Sequence, residues 1–119
     1  MTSEKILTLK DLTADVHATA KAAGWHDVPR TLVEDLCLIH TEVSEVVEEV
    51  RNGQLPGETY YEKKPDGTKK PCGIPSELAD IIIRTLHVAA KFGVDIEAAL
   101  KEKMSYNKTR PYRHGGKKL

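Results

Sequence analysis

The chain has 119 residues, with 18 Lys and Arg against 18 Asp and Glu, and a formal net charge of zero at pH 7. A neutral chain of this length is one domain with a modest core, and its charge points neither to a nucleic-acid polymer nor to an anionic membrane. Cys37 and Cys72 are too few for a disulfide framework or a zinc site, and no stretch resembles a signal peptide or a membrane span, so the sequence reads as a soluble, cytoplasmic protein.

In chain order, Thr8 is placed to cap a first helix that carries Leu9, Leu12, Val16 and Ala20 on one side and stops near Gly24. Thr31 and Glu34 form a capping-box pattern at the head of a second helix. It presents Leu32, Leu36, Ile39, Val43, Val46 and Val50 at steps of four and three and ends near Gly53. Residues 53–75 change character, and "PDGT" between "TYYEKK" and "KKP" predicts a short β-hairpin or arm. A third helix is expected from about Pro75 to Gly93, and a fourth from the cap Asp95 to about Arg110, before Pro111. The expected fold is all-α, a four-helix bundle with an arm inserted between helices two and three and an irregular basic tail over 111–119.

The acids crowd the middle of the chain, and their spacing is informative. On the third helix, Glu77, Asp80, Arg84, His87 and Lys91 fall in a strip roughly 80° wide, and nearly everything else is apolar. On the second helix, Glu42, Glu45 and Glu49 lie within roughly 60° of one another beside the apolar arc. Like charges at this spacing destabilise an isolated helix by roughly 0.2–0.5 kcal/mol per pair, and burial raises that penalty, so a positive partner is expected. If the two helices pack antiparallel at about 8–10 Å, Glu42, Glu45, Glu77 and Asp80 converge. Hard carboxylate oxygens without Cys or His suit Mg²⁺, with Mn²⁺ as the close alternative. Solvated charges paired with Lys and Arg are the competing explanation.

The pattern resembles the MazG-like, all-α family of nucleoside triphosphate pyrophosphohydrolases. The family's E-x-x-E and E-x-x-D pairs, on successive helices, are matched by "EVSE" (Glu42, Glu45) and "ELAD" (Glu77, Asp80). Lys103, Asn107 and Arg110 in "KMSYNKTR" look like the family's basic and amide residues on the following helix. Thr41 stands where the best-known form of the motif has another acid. The resemblance implies a Mg²⁺-dependent cleavage of a (d)NTP between its α and β phosphates, giving the monophosphate and pyrophosphate.

That chemistry agrees with the residues themselves. Glu42, Glu45, Glu77 and Asp80 are candidate metal ligands, and either Glu42 or Glu45 is a candidate base. Lys103, Asn107 and Arg110 share one face of helix four and are candidates for gripping phosphates. Arg113, His114 and Lys117 extend that basic end. Trp25, the only Trp, is a candidate for stacking on a base, against core filler as the alternative. Tyr60 and Tyr61 either cover the base or pack a subunit interface. His26 and Asp27 form a His-Asp pair in an expected turn without an evident partner set, and a di-iron bundle is disfavoured because no His follows a Glu by three places. A non-enzymatic helical interaction module, or a metal phosphohydrolase acting on another phosphorylated nucleotide, remain the alternatives. A helix apolar on nearly every side in so small a chain also implies a homodimer or a dimer of dimers.

Overall fold

The computed structural model describes residues 7–111, so Arg113, His114 and Lys117 lie outside the described residues. The described residues are mostly helical, with four helices and one two-stranded sheet among them: α1 (Leu9–Ala22), α2 (Leu32–Arg51), β1 (Tyr60–Lys63), β2 (Lys69–Cys72), α3 (Ile74–Lys91) and α4 (Ile96–Thr109).

The starts of the helices follow from local chemistry. Thr8 and Thr31 each accept a hydrogen bond from the backbone N–H three residues on, and Asp11 and Glu34 reach back to the capping residue's own N–H. Both are complete capping boxes, each satisfying donors that a helix start leaves unpaired. Asp95 caps α4 by accepting from the Ala98 N–H. α3 has no side-chain cap and opens instead from Gly73, with Pro75 in its first turn.

The inserted segment is an antiparallel hairpin in which Tyr60 faces Cys72 and Lys63 faces Lys69. Its turn is closed by Lys64 N–H to the Thr68 carbonyl at 2.8 Å and by Thr68 N–H to Asp66 Oδ1 at 2.9 Å. The turn residues predicted from "PDGT" therefore do what Asp and Gly do in such loops.

α3 is the hub of the molecule. It packs on α2 along one side and on α1 along another, while α4 touches α1 and buries none of its own residues. Among the described residues the buried apolar set is small: Ala20, Cys72, Ile74, Leu86 and Ala89. Burial of α3 on most sides, expected from its composition, is not achieved within one chain. Leu78 and Ile82 stay exposed on α3, and Leu36, Val43, Val47 and Val50 stay exposed on α2. The accessible area is 9438 Å², against about 6,400 Å² for a compact monomer of this mass.

Candidate functional site

Two buried ion contacts fix the register of α2 against α3. Asp35, near the start of α2, accepts from Lys91 Nζ at 2.6 Å and from Arg30 Nε at 2.8 Å. Two helical turns further along α2, Glu42 Oε1 accepts from Arg84 Nε at 3.2 Å. Rising numbers on α2 meet falling numbers on α3, so the helices run antiparallel. Asp35 is 2 % exposed, and its carboxyl is nevertheless held below the usual range, because the bonds and charges of Lys91 and Arg30 outweigh the burial that would raise it.

That register brings Glu42 and Glu45 of α2 to Glu77 of α3. One carboxylate oxygen from each lies within 4.8 Å of the other two. Glu42 is buried, Glu77 half-buried and Glu45 exposed, so the cluster is walled on one side and open to solvent on the other. The Glu77 carboxyl is pushed up to about 7, by burial first, then by the hydrogen bond and charge of Glu45, then by the charges of Asp80 and Glu42. Its Oε2 is buried and makes no hydrogen bond. Burial and the neighbouring acids thus disfavour the ionised form of Glu77.

Asp80 stands at the edge of this trio. Its carboxyl is also raised, by burial and the charge of Glu45, with Arg84 and Lys70 pulling the other way. The donor set fits a small hard divalent ion: three clustered carboxylates with no sulfur or nitrogen, a buried Glu77 oxygen without a partner, and a fourth carboxylate beside them. Mg²⁺ or Mn²⁺ held this way would keep positions for water and phosphate oxygens.

Beside the acids lies an aromatic and histidine cluster. The Arg84 guanidinium sits over the Trp25 ring, 4.3 Å from its centroid. Trp25 meets His87 edge-on at 5.3 Å, and His87 meets His26 at 5.2 Å, with His17 stacked edgewise on His26 at 5.0 Å. Between α1 and α3 a cavity of about 400 Å³ is lined by Asp15, Val16, Ala20, Trp25, Asp80 and Ile83. Asp80 in its lining sets the cavity beside the clustered carboxylates, and the lining is mostly apolar. Another depression, of about 390 Å³, lies where α1 meets the start of α4 and shares none of the clustered acids.

The other predicted residues are elsewhere. Lys103, Asn107 and Arg110 are on α4, whose packing partner is α1; Lys103 and Arg110 lie 5.2 and 5.9 Å from the Tyr106 ring. Within one chain they are not brought to the acids. Tyr60 donates to Glu49 at 2.9 Å, tying the hairpin to α2, and that bond pushes its phenol up to about 12. Tyr61 is exposed. His26, which has no evident partner in sequence, bonds His87 across the fold.

Arg84 was visible in the sequence only as one member of a polar strip. Its double contact, to Glu42 and to Trp25, depends on where the 24–31 loop crosses α3, and nothing local in the sequence sets that crossing. No family model matches the chain, and neither curated proteins nor solved structures give a match.

Proposed function

We propose that the protein is a Mg²⁺-dependent nucleoside triphosphate pyrophosphohydrolase of MazG-like type, acting on a (d)NTP in the cytoplasm and releasing the monophosphate and pyrophosphate. The observation that carries this reading is the convergence of Glu42, Glu45 and Glu77 across two helices pinned in register, with Asp80 at the rim. A divalent ion bound there supplies Lewis acidity and neutralises phosphate charge.

The chain's own residues divide the remaining work. Arg84 engages one Glu42 oxygen, which orients that carboxylate and leaves Glu45 as the better base. Glu45 is exposed and lies beside Glu77 in the cluster, so it accepts the proton of the attacking water from the solvent side. The cavity beside Asp80 receives the base, with Trp25 as its aromatic wall. Lys103, Asn107 and Arg110 bind phosphates from α4, which buries no residue and is the least anchored of the four helices.

Assembly belongs to the same reading. The exposed apolar stripes on α2 and α3 pair with those of a second copy, completing a helical bundle as a homodimer or dimer of dimers. The deciding experiment is a panel of NTPs and dNTPs incubated with Mg²⁺, with products resolved as monophosphate or diphosphate. Monophosphate plus pyrophosphate from at least one nucleotide supports the assignment, and no Mg²⁺-dependent product from any of them overturns it.

A further inference from the structure

Arg84 makes two contacts that belong to two different sites. Its Nε donates to Glu42 Oε1 at 3.2 Å, and its guanidinium carbon lies 4.3 Å from the centroid of the Trp25 ring. Glu42 is one of the three clustered carboxylates, and Trp25 is a wall of the cavity between α1 and α3. The Arg84 side chain is 23 % exposed and that of Glu42 11 %, so water screens this contact little compared with a surface pair. A planar guanidinium suits both roles at once, because it forms directional bonds in its plane and stacks through its face.

We infer that Arg84 is a positioning residue through which binding of a divalent cation at Glu42, Glu45 and Glu77 is transmitted to Trp25 and to the cavity that Trp25 walls. This rests on the metal-site reading above and adds to it a coupling between two sites.

The physical argument has two directions. Before a cation binds, Arg84 is the positive group bonded to the trio among the described residues, and it draws on Glu42 through one oxygen. A dication at the trio competes for the same carboxylate charge, which weakens the hold of Glu42 on Arg84 and leaves the guanidinium freer to lie against the indole. In the other direction, a planar ring docked at Trp25 presses on the guanidinium and, through it, on the Glu42 carboxylate. Coupling of this kind is reciprocal: a cation that changes how a planar ring binds must have its own affinity changed by the same factor. An ordinary structural salt bridge would hold α2 to α3 without making Trp25 sensitive to the cation. The Asp35–Lys91 contact already fixes the register of those helices.

The chain has a single Trp, so fluorescence excited selectively at the indole, beyond the absorption of the tyrosines, reads Trp25 alone. The full chain is titrated with Mg²⁺ while Trp emission and binding heat are both recorded, for the wild type and for Arg84→Gln and Arg84→Lys. For the wild type the expected result is a saturable emission change that follows the calorimetric isotherm. For Arg84→Gln the cation loses its competitor at Glu42, so Mg²⁺ affinity does not fall, and the emission change disappears even at saturation. Arg84→Lys keeps the competing charge but not the planar face, so its Mg²⁺ affinity stays near that of the wild type while most of the emission change is lost.

An emission change of wild-type size in saturated Arg84→Gln overturns the inference, as does a wild type that binds Mg²⁺ with no change in Trp emission. In both cases the metal site itself still stands. A wild type that shows no Mg²⁺ binding heat removes the metal-site reading first and the coupling with it. Circular dichroism of each variant separates loss of signal from loss of fold, and a misfolded Arg84→Gln leaves Arg84→Lys to decide.

Discussion

The Nε2 atoms of His26 and His87 stand 3.1 Å apart, a spacing at which one must carry a hydrogen and the other a lone pair. Two cationic rings cannot share it. His87 is 1 % exposed, and its pKa lies below the ordinary value through burial first, then through the charges of His26, Lys91 and Arg84, with Asp35 opposing them. A folded pKa below the unfolded one, about 6.5, means that the unfolded chain binds more protons between the two values. The stability contributed by neutral His87 is therefore complete above about pH 6.5 and is lost as pH falls through the folded pKa. His87→Gln should melt below the wild type at pH 7.5, and the gap should narrow toward pH 5.5. Melting curves in EDTA test this; a gap that does not change with pH would show that the pair does not titrate.

Glu77 acts in the opposite sense. Its carboxyl is raised to about 7 from 4.5, so the folded state binds more protons than the unfolded one between those values, and apo stability rises as pH falls through that window. The repulsion that Glu77 contributes is present above pH 7 and relieved below about pH 4.5. Without metal, Glu77→Gln should melt above the wild type at pH 8, and the two should converge by about pH 5. Millimolar Mg²⁺ should raise the melting temperature of the wild type at pH 8 and leave Glu77→Gln nearly unmoved. Comparing variant with wild type at each pH cancels the contribution of His87.

Turnover should follow the geometry of the cluster. Glu42→Gln, Glu45→Gln and Glu77→Gln each remove a converging oxygen charge and should lower kcat by at least about 100-fold. Asp80→Asn, at the rim, should cost about 10-fold and weaken Mg²⁺ binding by a similar factor. Steady-state rates at saturating Mg²⁺ decide the point. Near-wild-type rates in two of the three Glu variants would remove the assignment of the site.

On α4, Lys103→Ala and Arg110→Ala should raise KM for the triphosphate by about 10-fold while leaving Mg²⁺ affinity and melting temperature unchanged. Their side chains lie near Tyr106 and away from the acids, so neither change disturbs the cluster. Equal losses in Mg²⁺ binding and in KM would place these residues in the metal site and not on the anion.

The elements were legible because their signals are local. A Thr followed three residues on by an acid starts α1 and α2, Asp95 starts α4, and "PDGT" folds back on itself whatever surrounds it. The convergence of Glu42, Glu45 and Glu77 was legible too, since two helical stripes can meet in few ways once the helices are antiparallel. Relations that depend on a loop crossing a helix were not legible. His26 meets His87 from 61 positions away, and Trp25 meets Arg84 on the same crossing. The rim position of Asp80 was hidden for a subtler reason: a residue three places on is turned about 60° around the helix axis, enough to aim one acid at α2 and the next at α1. The unsupported apolar faces were hinted at by composition, but which residues stay uncovered depends on α4 leaving α2 and α3 alone.

Those uncovered faces give the assembly its own test. Ile82 of α3 is 58 % exposed and Val47 of α2 53 %, and neither is a clustered acid or a wall of the cavity. Light scattering should give the wild type a mass of at least twice the 13.2 kDa chain. Ile82→Glu or Val47→Lys should shift the protein toward monomer and lower its melting temperature in a concentration-dependent way. A wild type that is monomeric and stable at micromolar concentration would rule the bundle assembly out.

The two glycines of the hairpin constrain the chain very differently. Gly67 at the tip has a φ of 89° and open space where a side chain would stand, so its demand is on backbone angle alone, which Asn can meet at small cost. Gly73 at the base has a φ of 107° and a ψ of 177°, a region essentially closed to other residues. A Cβ there would also meet the Glu58 carbonyl oxygen at 2.5 Å. Gly73 is the residue on which α3 begins, and its carbonyl accepts from the Glu77 N–H at 3.0 Å. The hairpin is thus free to drift in sequence at its tip and frozen at its root, where any new side chain would displace the turn that aims Glu77.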